Sequence, residues 1–119
     1  MKAIRVHAPG GAEVLRHEDV PDPQPKAGEA VVRVEAAGVN FIDTYHRSGL
    51  YKTTMPITLG QEGAGAVVAV APGVTEVSVG DRVAWASVLG SYAELAAVPA
   101  LRLVKLPEGI SARQAAAAM

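Results

Sequence analysis

The chain has 119 residues, half of them hydrophobic and 19% charged, with a net charge of −1 at pH 7. That balance rules out a disordered polymer, which combines few apolar residues with high net charge. The scattered Lys and Arg residues give no footing for nucleic acid or an anionic membrane. With no cysteine, disulfides and thiolate metal sites are excluded. No apolar run approaches the ~20 residues of a membrane span, and cytosolic residence is the expectation.

Residues 1–119 read as one domain of ordinary size. Turn signals recur at short intervals: Pro9-Gly10-Gly11, the prolines between 21 and 25, Ala27-Gly28, Pro72-Gly73, Gly80-Asp81, Gly90 and Pro107. Short strands between frequent turns predict a barrel or sandwich. A first strand is expected at residues 3–7, alternating rather than continuously apolar as a leader would be. Its hairpin partner is expected at 14–19. Residues 30–36, Ala-Val-Val-Arg-Val-Glu-Ala, alternate most clearly. Ala30, Val32, Val34 and Ala36 share a core face opposite Arg33 and Glu35. Residues 40–48 form a short helix, with Asn40 at the N-cap and Gly49 just past the end. Residues 65–70 are apolar on both faces, as in a central strand or one whose outer face meets a partner. Strands at 83–87, 93–98 and 102–106 complete the set. A last helix opens at Ser111, where Ser111 and Gln114 form a capping box ahead of an alanine run. The sequence stops at Met119, before any C-cap, and this is read as a cut.

Several segments invite a chemical reading. Gly60-Gln61-Glu62-Gly63-Ala64-Gly65 lacks the G-x-G-x-x-G order and runs into a strand, so it is no dinucleotide loop. Gly63 and Gly65 are read as allowing close strand packing. His7, His17 and His46 lack paired ligand spacing; His7 and His17 are expected at the surface, and His46 at the surface in preference to lining a cleft. Asp43 reads as a first-turn acid complementing the helix dipole, and Glu62 as a buried, hydrogen-bonded carboxylate. The two together are a conceivable carboxylate pair. Tyr45 and Tyr51 can pack a hinge or form a slot for a flat ligand, and spacing alone prefers packing.

The stretch Ala36-Ala37-Gly38-Val39-Asn40-Phe41-Ile42-Asp43 has a wider likeness. So do Gly60-Gln61-Glu62-Gly63-Ala64-Gly65-Ala66-Val67, Gly80-Asp81-Arg82-Val83, Ser91-Tyr92-Ala93-Glu94 and Leu106-Pro107-Glu108-Gly109. In this order they resemble the GroES-like domain of zinc-free medium-chain dehydrogenases/reductases. The subgroup is that of bacterial NADPH:quinone oxidoreductases, related to zeta-crystallin. Asn40-Phe41-Ile42-Asp43-Thr44-Tyr45-His46-Arg47-Ser48-Gly49-Leu50-Tyr51 carries that likeness most strongly.

The resemblance implies a mainly β fold: a GroES-like, partly open β-barrel with short helices, without the Rossmann domain of the parent enzyme. It implies hydride transfer from NADPH to a quinone. Asn40, Tyr45 and Tyr51 are the candidate catalytic and substrate-lining residues. Phe41, Ile42 and Asp43 match cofactor contacts, and Gln61 and Glu62 are polar groups behind them. Asn40 and Gln61 stand where the zinc branch carries Cys and His, and carboxamides are poor zinc ligands. No metal is therefore expected.

NADPH would be held mainly by the second domain, and the parent would be a homodimer built through it. The isolated piece is expected to be inactive, and an exposed apolar patch at its cleft side, including residues 65–70, would favour self-association. Open alternatives are a zinc-free enoyl or alkenal reductase domain, a non-catalytic β-barrel binding module, and a co-chaperonin-like subunit. The last has no use for the slot around Asn40.

Overall fold

The computed structural model describes residues 1–52 and 54–118. Met119, at which the sequence is read as cut, lies outside the described residues. The strands are β1 (Lys2–Val6), β2 (Arg16–Asp19), β3 (Glu29–Gly38), β4 (Ile57–Thr58), β5 (Glu62–Val70), β6 (Arg82–Trp85), β7 (Leu95–Pro99) and β8 (Val104–Lys105). The helices are α1 (Phe41–Ser48) and α2 (Ala112–Ala118). Strands dominate, as the turn spacing predicts. All pairings are antiparallel, in a small sheet of order β2-β1-β4 and a larger one of order β7-β3-β5-β6-β8. Residues 92–94 stitch the sheets together. Tyr92 accepts from Ile4 N–H, Glu94 N–H donates to Lys2, and Glu94 accepts from Val34 N–H. The result is a barrel closed along one seam and open elsewhere. Among the described residues, no helix is long and apolar enough to cross a membrane.

The core forms around the single tryptophan. Trp85, Val32, Val67, Val83 and Val98 are fully buried in one cluster. Each buried valine contributes roughly 1.5–3 kcal/mol relative to exposure. Ala30 and Val32 point inward as expected, but Val31 is buried as well. The ladder between β3 and β5 shifts register at Val31/Val32 and again at Val34/Ala36, so simple alternation fails along this strand.

β5 is central, lying between β3 and β6. Part of its outer face is covered from within the chain: Ala112, Ala115 and Ala116 of α2 pack on Ala64 and Ala84. Val68 remains exposed. Gly65 needs its missing side chain, because a Cβ there would lie 2.9 Å from the carbonyl carbon of Arg33.

Several boundaries differ from the periodicity. Val14 belongs to a 3-10 turn at Ala12–Val14, and β2 starts only at Arg16. Ser87 turns to a positive φ of 63°, so β6 stops at Trp85. Ala93 makes only an isolated bridge to Ala3, and β7 begins at Leu95. Arg102 lies in the 3-10 turn Ala100–Arg102, which leaves β8 two residues long. Both expected helices form. Gly49 ends α1 at φ 85°, its N–H donating to Tyr45. Ser111 and Gln114 exchange hydrogen bonds of 2.9 and 3.1 Å at the start of α2.

Candidate functional site

The site grows from the register of β3 and β5. Gly38, the last residue of β3, pairs with Glu62, the first of β5. The chain then turns into α1 through Asn40, whose extended backbone (φ −127°, ψ 154°) is that of an N-cap. Strand pairing thus sets Glu62 beside the start of the helix. Gly38 makes room for it: a Cβ there would come within 2.6 Å of Glu62 Cγ and Cδ. The Glu62 side chain is buried, and its Oε1 accepts a hydrogen bond from Asn40 Nδ2 at 3.0 Å. The expectation of a buried, hydrogen-bonded Glu62 holds.

Asp43 does more than complement a helix dipole. It is buried, and its Oδ2 accepts from Asn40 N–H at 3.0 Å and from the Tyr92 hydroxyl at 2.5 Å. Asp43 and Glu62 therefore meet through Asn40, one carboxylate taking its backbone N–H and the other its side-chain amide. Burial, then the hydrogen bond to Asp43, then the charges of Asp43 and Glu62 hold the Tyr92 phenol above its ordinary pKa of 10.0. Periodicity offers no signal for Tyr92, which lies far from Asp43 in sequence. Only its place in Ser91-Tyr92-Ala93-Glu94 marks it.

An aromatic row leads away from Asn40. Phe41 and Tyr45 pack edge to face at 5.8 Å, and Tyr45 and Tyr51 do so at 5.4 Å. The row is open to solvent: Phe41 is 77% exposed and Tyr51 49%. Val39 and Leu50 beside it are also exposed. His46 corrects an expectation. It is buried rather than at the surface, because it shares the inward side of α1 with half-buried Ile42, and its ring meets Tyr51 at 5.9 Å. His7 and His17 are exposed, as expected.

Gln61 is half-buried and accepts from Val88 N–H through its backbone carbonyl. A cleft of about 620 Å³ opens between residues 35–40, Glu62, and Arg113, Ala116 and Ala117 of α2. The aromatic row offers an exposed apolar ledge with a hydrogen-bonded carboxamide at its edge. Among the described residues, no group of three or more His, Asp or Glu side chains is placed to hold a metal.

Residues 26–108 match the alcohol dehydrogenase GroES-like domain, and the chain belongs to that family. It is 51% identical over 120 residues to a quinone oxidoreductase of Pseudomonas aeruginosa, covering 99% of this chain. It superimposes on Escherichia coli quinone oxidoreductase complexed with NADPH with a TM-score of 0.96, at 41% identity over all of this chain. A 2-haloacrylate reductase is similar at a TM-score of 0.84 and 36% identity over 95% of the chain. The chain spans 37% of the length of the first two proteins and 34% of the third.

Proposed function

We propose that this chain is the substrate-side domain of an NADPH-dependent quinone reductase that works without zinc. The observation that carries the reading is the carboxamide of Asn40, pinned by Glu62 at the edge of the exposed Phe41–Tyr45–Tyr51 row. A carboxylate accepts and an amide nitrogen donates, so the bond to Glu62 fixes which end of the Asn40 amide faces inward. The carbonyl oxygen and the second N–H stay available for the nicotinamide carboxamide or a quinone oxygen.

The chemistry NADPH supplies when bound is hydride donation. Phe41 and Ile42 would flank the cofactor, with Asp43 acting from beneath through the Asn40 backbone. Tyr45 and Tyr51 would hold the flat face of the quinone and exclude water from it. A quinone is already electrophilic, and its reduction creates an aromatic ring, so positioning and modest hydrogen bonding suffice. Oxidising an alcohol would instead call for a Lewis acid to stabilise alkoxide. The carboxamides of Asn40 and Gln61, in a chain without cysteine, are a poor donor set for one.

A second reading is reduction of an α,β-unsaturated carbonyl compound, favoured by the likeness to a 2-haloacrylate reductase. The same ledge would serve both substrates.

The test is NADPH oxidation with a simple aromatic quinone. It compares these 119 residues alone with the same residues joined to a nucleotide-binding domain. Turnover is expected only from the joined protein. Tyr45→Ala and Tyr51→Ala should each raise the KM for quinone several-fold, up to about ten-fold. Turnover by the 119 residues alone, or none by the joined protein, overturns the reading. Turnover of enones but not quinones moves the assignment to the second reading.

A further inference from the structure

We propose that Tyr92 is a positioning residue for this site: its hydroxyl fixes Asp43, and through Asp43 the backbone from which the Asn40 carboxamide projects. The activity part of this proposal rests on the quinone-reductase reading.

The backbone of Tyr92 is held on both sides. Its N–H donates to Leu59 at 3.0 Å, and its carbonyl accepts from Ile4 N–H at 2.8 Å. Gly60, at φ 99°, lies so close that a Cβ on it would meet Tyr92 Cδ1 at 2.7 Å and Tyr92 N at 2.9 Å. The ring therefore leaves a fixed point in a fixed direction. A tyrosine has only two side-chain torsions to lose, so its hydroxyl is placed at low entropic cost.

At the far end of the ring is a buried carboxylate with few other restraints. Asp43 Oδ1 is buried and has no hydrogen-bond partner among the described residues. Both bonds that orient Asp43 fall on Oδ2: one from Asn40 N–H, one from Tyr92. Without the phenol, the carboxylate is tethered only to the residue it is meant to hold. The small cavity beside it, about 170 Å³, is lined by Leu15, Val39 and Leu59, by Thr44 and Arg47, and by Asn40, Asp43 and Tyr92. Tyr92 thus ties the seam between the two sheets to the start of α1.

The experiment uses the protein in which this domain is joined to its nucleotide-binding domain, as wild type, Tyr92→Phe, Asp43→Ala and the double variant. Phenylalanine keeps the ring and removes only the hydroxyl. At temperatures well below unfolding, Tyr92→Phe should lower kcat/KM for quinone about ten-fold, as expected for losing a hydrogen bond to a charged group. In the Asp43→Ala background the same change should be silent, because the partner is gone. Wild-type kcat/KM in Tyr92→Phe, or an undiminished loss in the Asp43→Ala background, overturns the proposal. Hydrogen exchange at the Asn40 amide is the second readout and needs no substrate. It should quicken in Tyr92→Phe, and it decides alone if Asp43→Ala fails to fold. If the wild type reduces no quinone, the functional reading falls; faster exchange would still uphold the coupling to Asn40, and unchanged exchange would sink it.

Discussion

Replacing Gly38 by alanine should disconnect Glu62 from Asn40 without altering either residue. The three atoms nearest to a Cβ at position 38 all belong to Glu62, and Cγ and Cδ would lie at 2.6 Å, against an ordinary contact of 3.4–4 Å. Gly38 has no positive φ, so the backbone accepts alanine and the strain falls on the carboxylate. To regain contact distance, Cγ and Cδ must give way by close to an ångström and Oε1, which is nearer still, by more, which takes Oε1 off the 3.0 Å bond to Asn40 Nδ2. A hydrogen bond to a charged group contributes about 1.5–3 kcal/mol, so a site that depends on it should lose roughly ten- to a hundred-fold in kcat/KM. Under the proposed function, the assay is quinone-dependent NADPH oxidation by these residues joined to a nucleotide-binding domain, over Gly38→Ala, Glu62→Ala and the pair. In the Glu62→Ala background the obstructing side chain is gone, so adding Gly38→Ala should change kcat/KM by less than about two-fold. Gly38→Ala at wild-type activity would refute the reasoning. So would a further large loss on top of Glu62→Ala, since it would mean that Gly38 matters for something other than Glu62.

Two further outcomes concern the scaffold. At Gly65 the obstruction is backbone, with a Cβ 2.9 Å from the carbonyl carbon of Arg33 and 3.2 Å from Glu35 N, so nothing can rotate aside. Gly65→Ala should cost about 2 kcal/mol or more and lower the melting temperature by roughly 8 °C; a change under about 2 °C in thermal denaturation would contradict this. The second outcome is alkaline. Because the Tyr92 phenol is held above 10.0, it is protonated in both folded and unfolded chains below that pH. Above it, the unfolded chain releases the proton first, so the contribution of Tyr92 is fully present below pH 10.0 and is lost as pH rises toward the folded value. Urea unfolding should show wild type more stable than Tyr92→Phe by a constant margin at neutral and mildly alkaline pH, narrowing above pH 10.0; a margin that stays constant would contradict the shift.

What the sequence makes legible here is whatever depends on neighbours along the chain. The caps of α1 and α2 can be read from Asn40, Gly49, Ser111 and Gln114, since the groups they satisfy lie within a turn. The tight packing of Gly63 and Gly65 can be read as well, because glycines in an apolar strand have few other uses. The strand ends fail where a local conformation overrides alternation: the positive φ of Ser87 and the 3-10 turn before Leu103 shorten their strands, and no hydrophobic pattern signals either. Residues 65–70 are legible as a strand whose outer face meets something, but the α2 cover falls on neighbouring Ala64 and leaves Val68 exposed, an outcome that depends on tertiary packing. His46 fails for a related reason, since a helix's inward side is known only once the body it packs on is known.

The site shows the same division. Asn40, Asp43 and the aromatic residues fall on one short segment, where spacing alone reads a capped helix and packing, and only the family resemblance makes them a candidate site. Tyr92 reaches Asp43 only because residues 92–94 stitch β1 to β3, a property of the seam between the two sheets and of no single segment. Where one residue is held by one carboxylate through strand register and by another through a barrel seam, substitutions far apart in sequence should converge on one phenotype. Gly38→Ala acts through Glu62 on the Asn40 side chain, and Tyr92→Phe acts through Asp43 on its backbone. If both routes end at the same carboxamide, combining the two substitutions should cost less than the product of the separate losses in kcat/KM. If the losses multiply in full, the two carboxylates serve separate ends and Asn40 is not their common object.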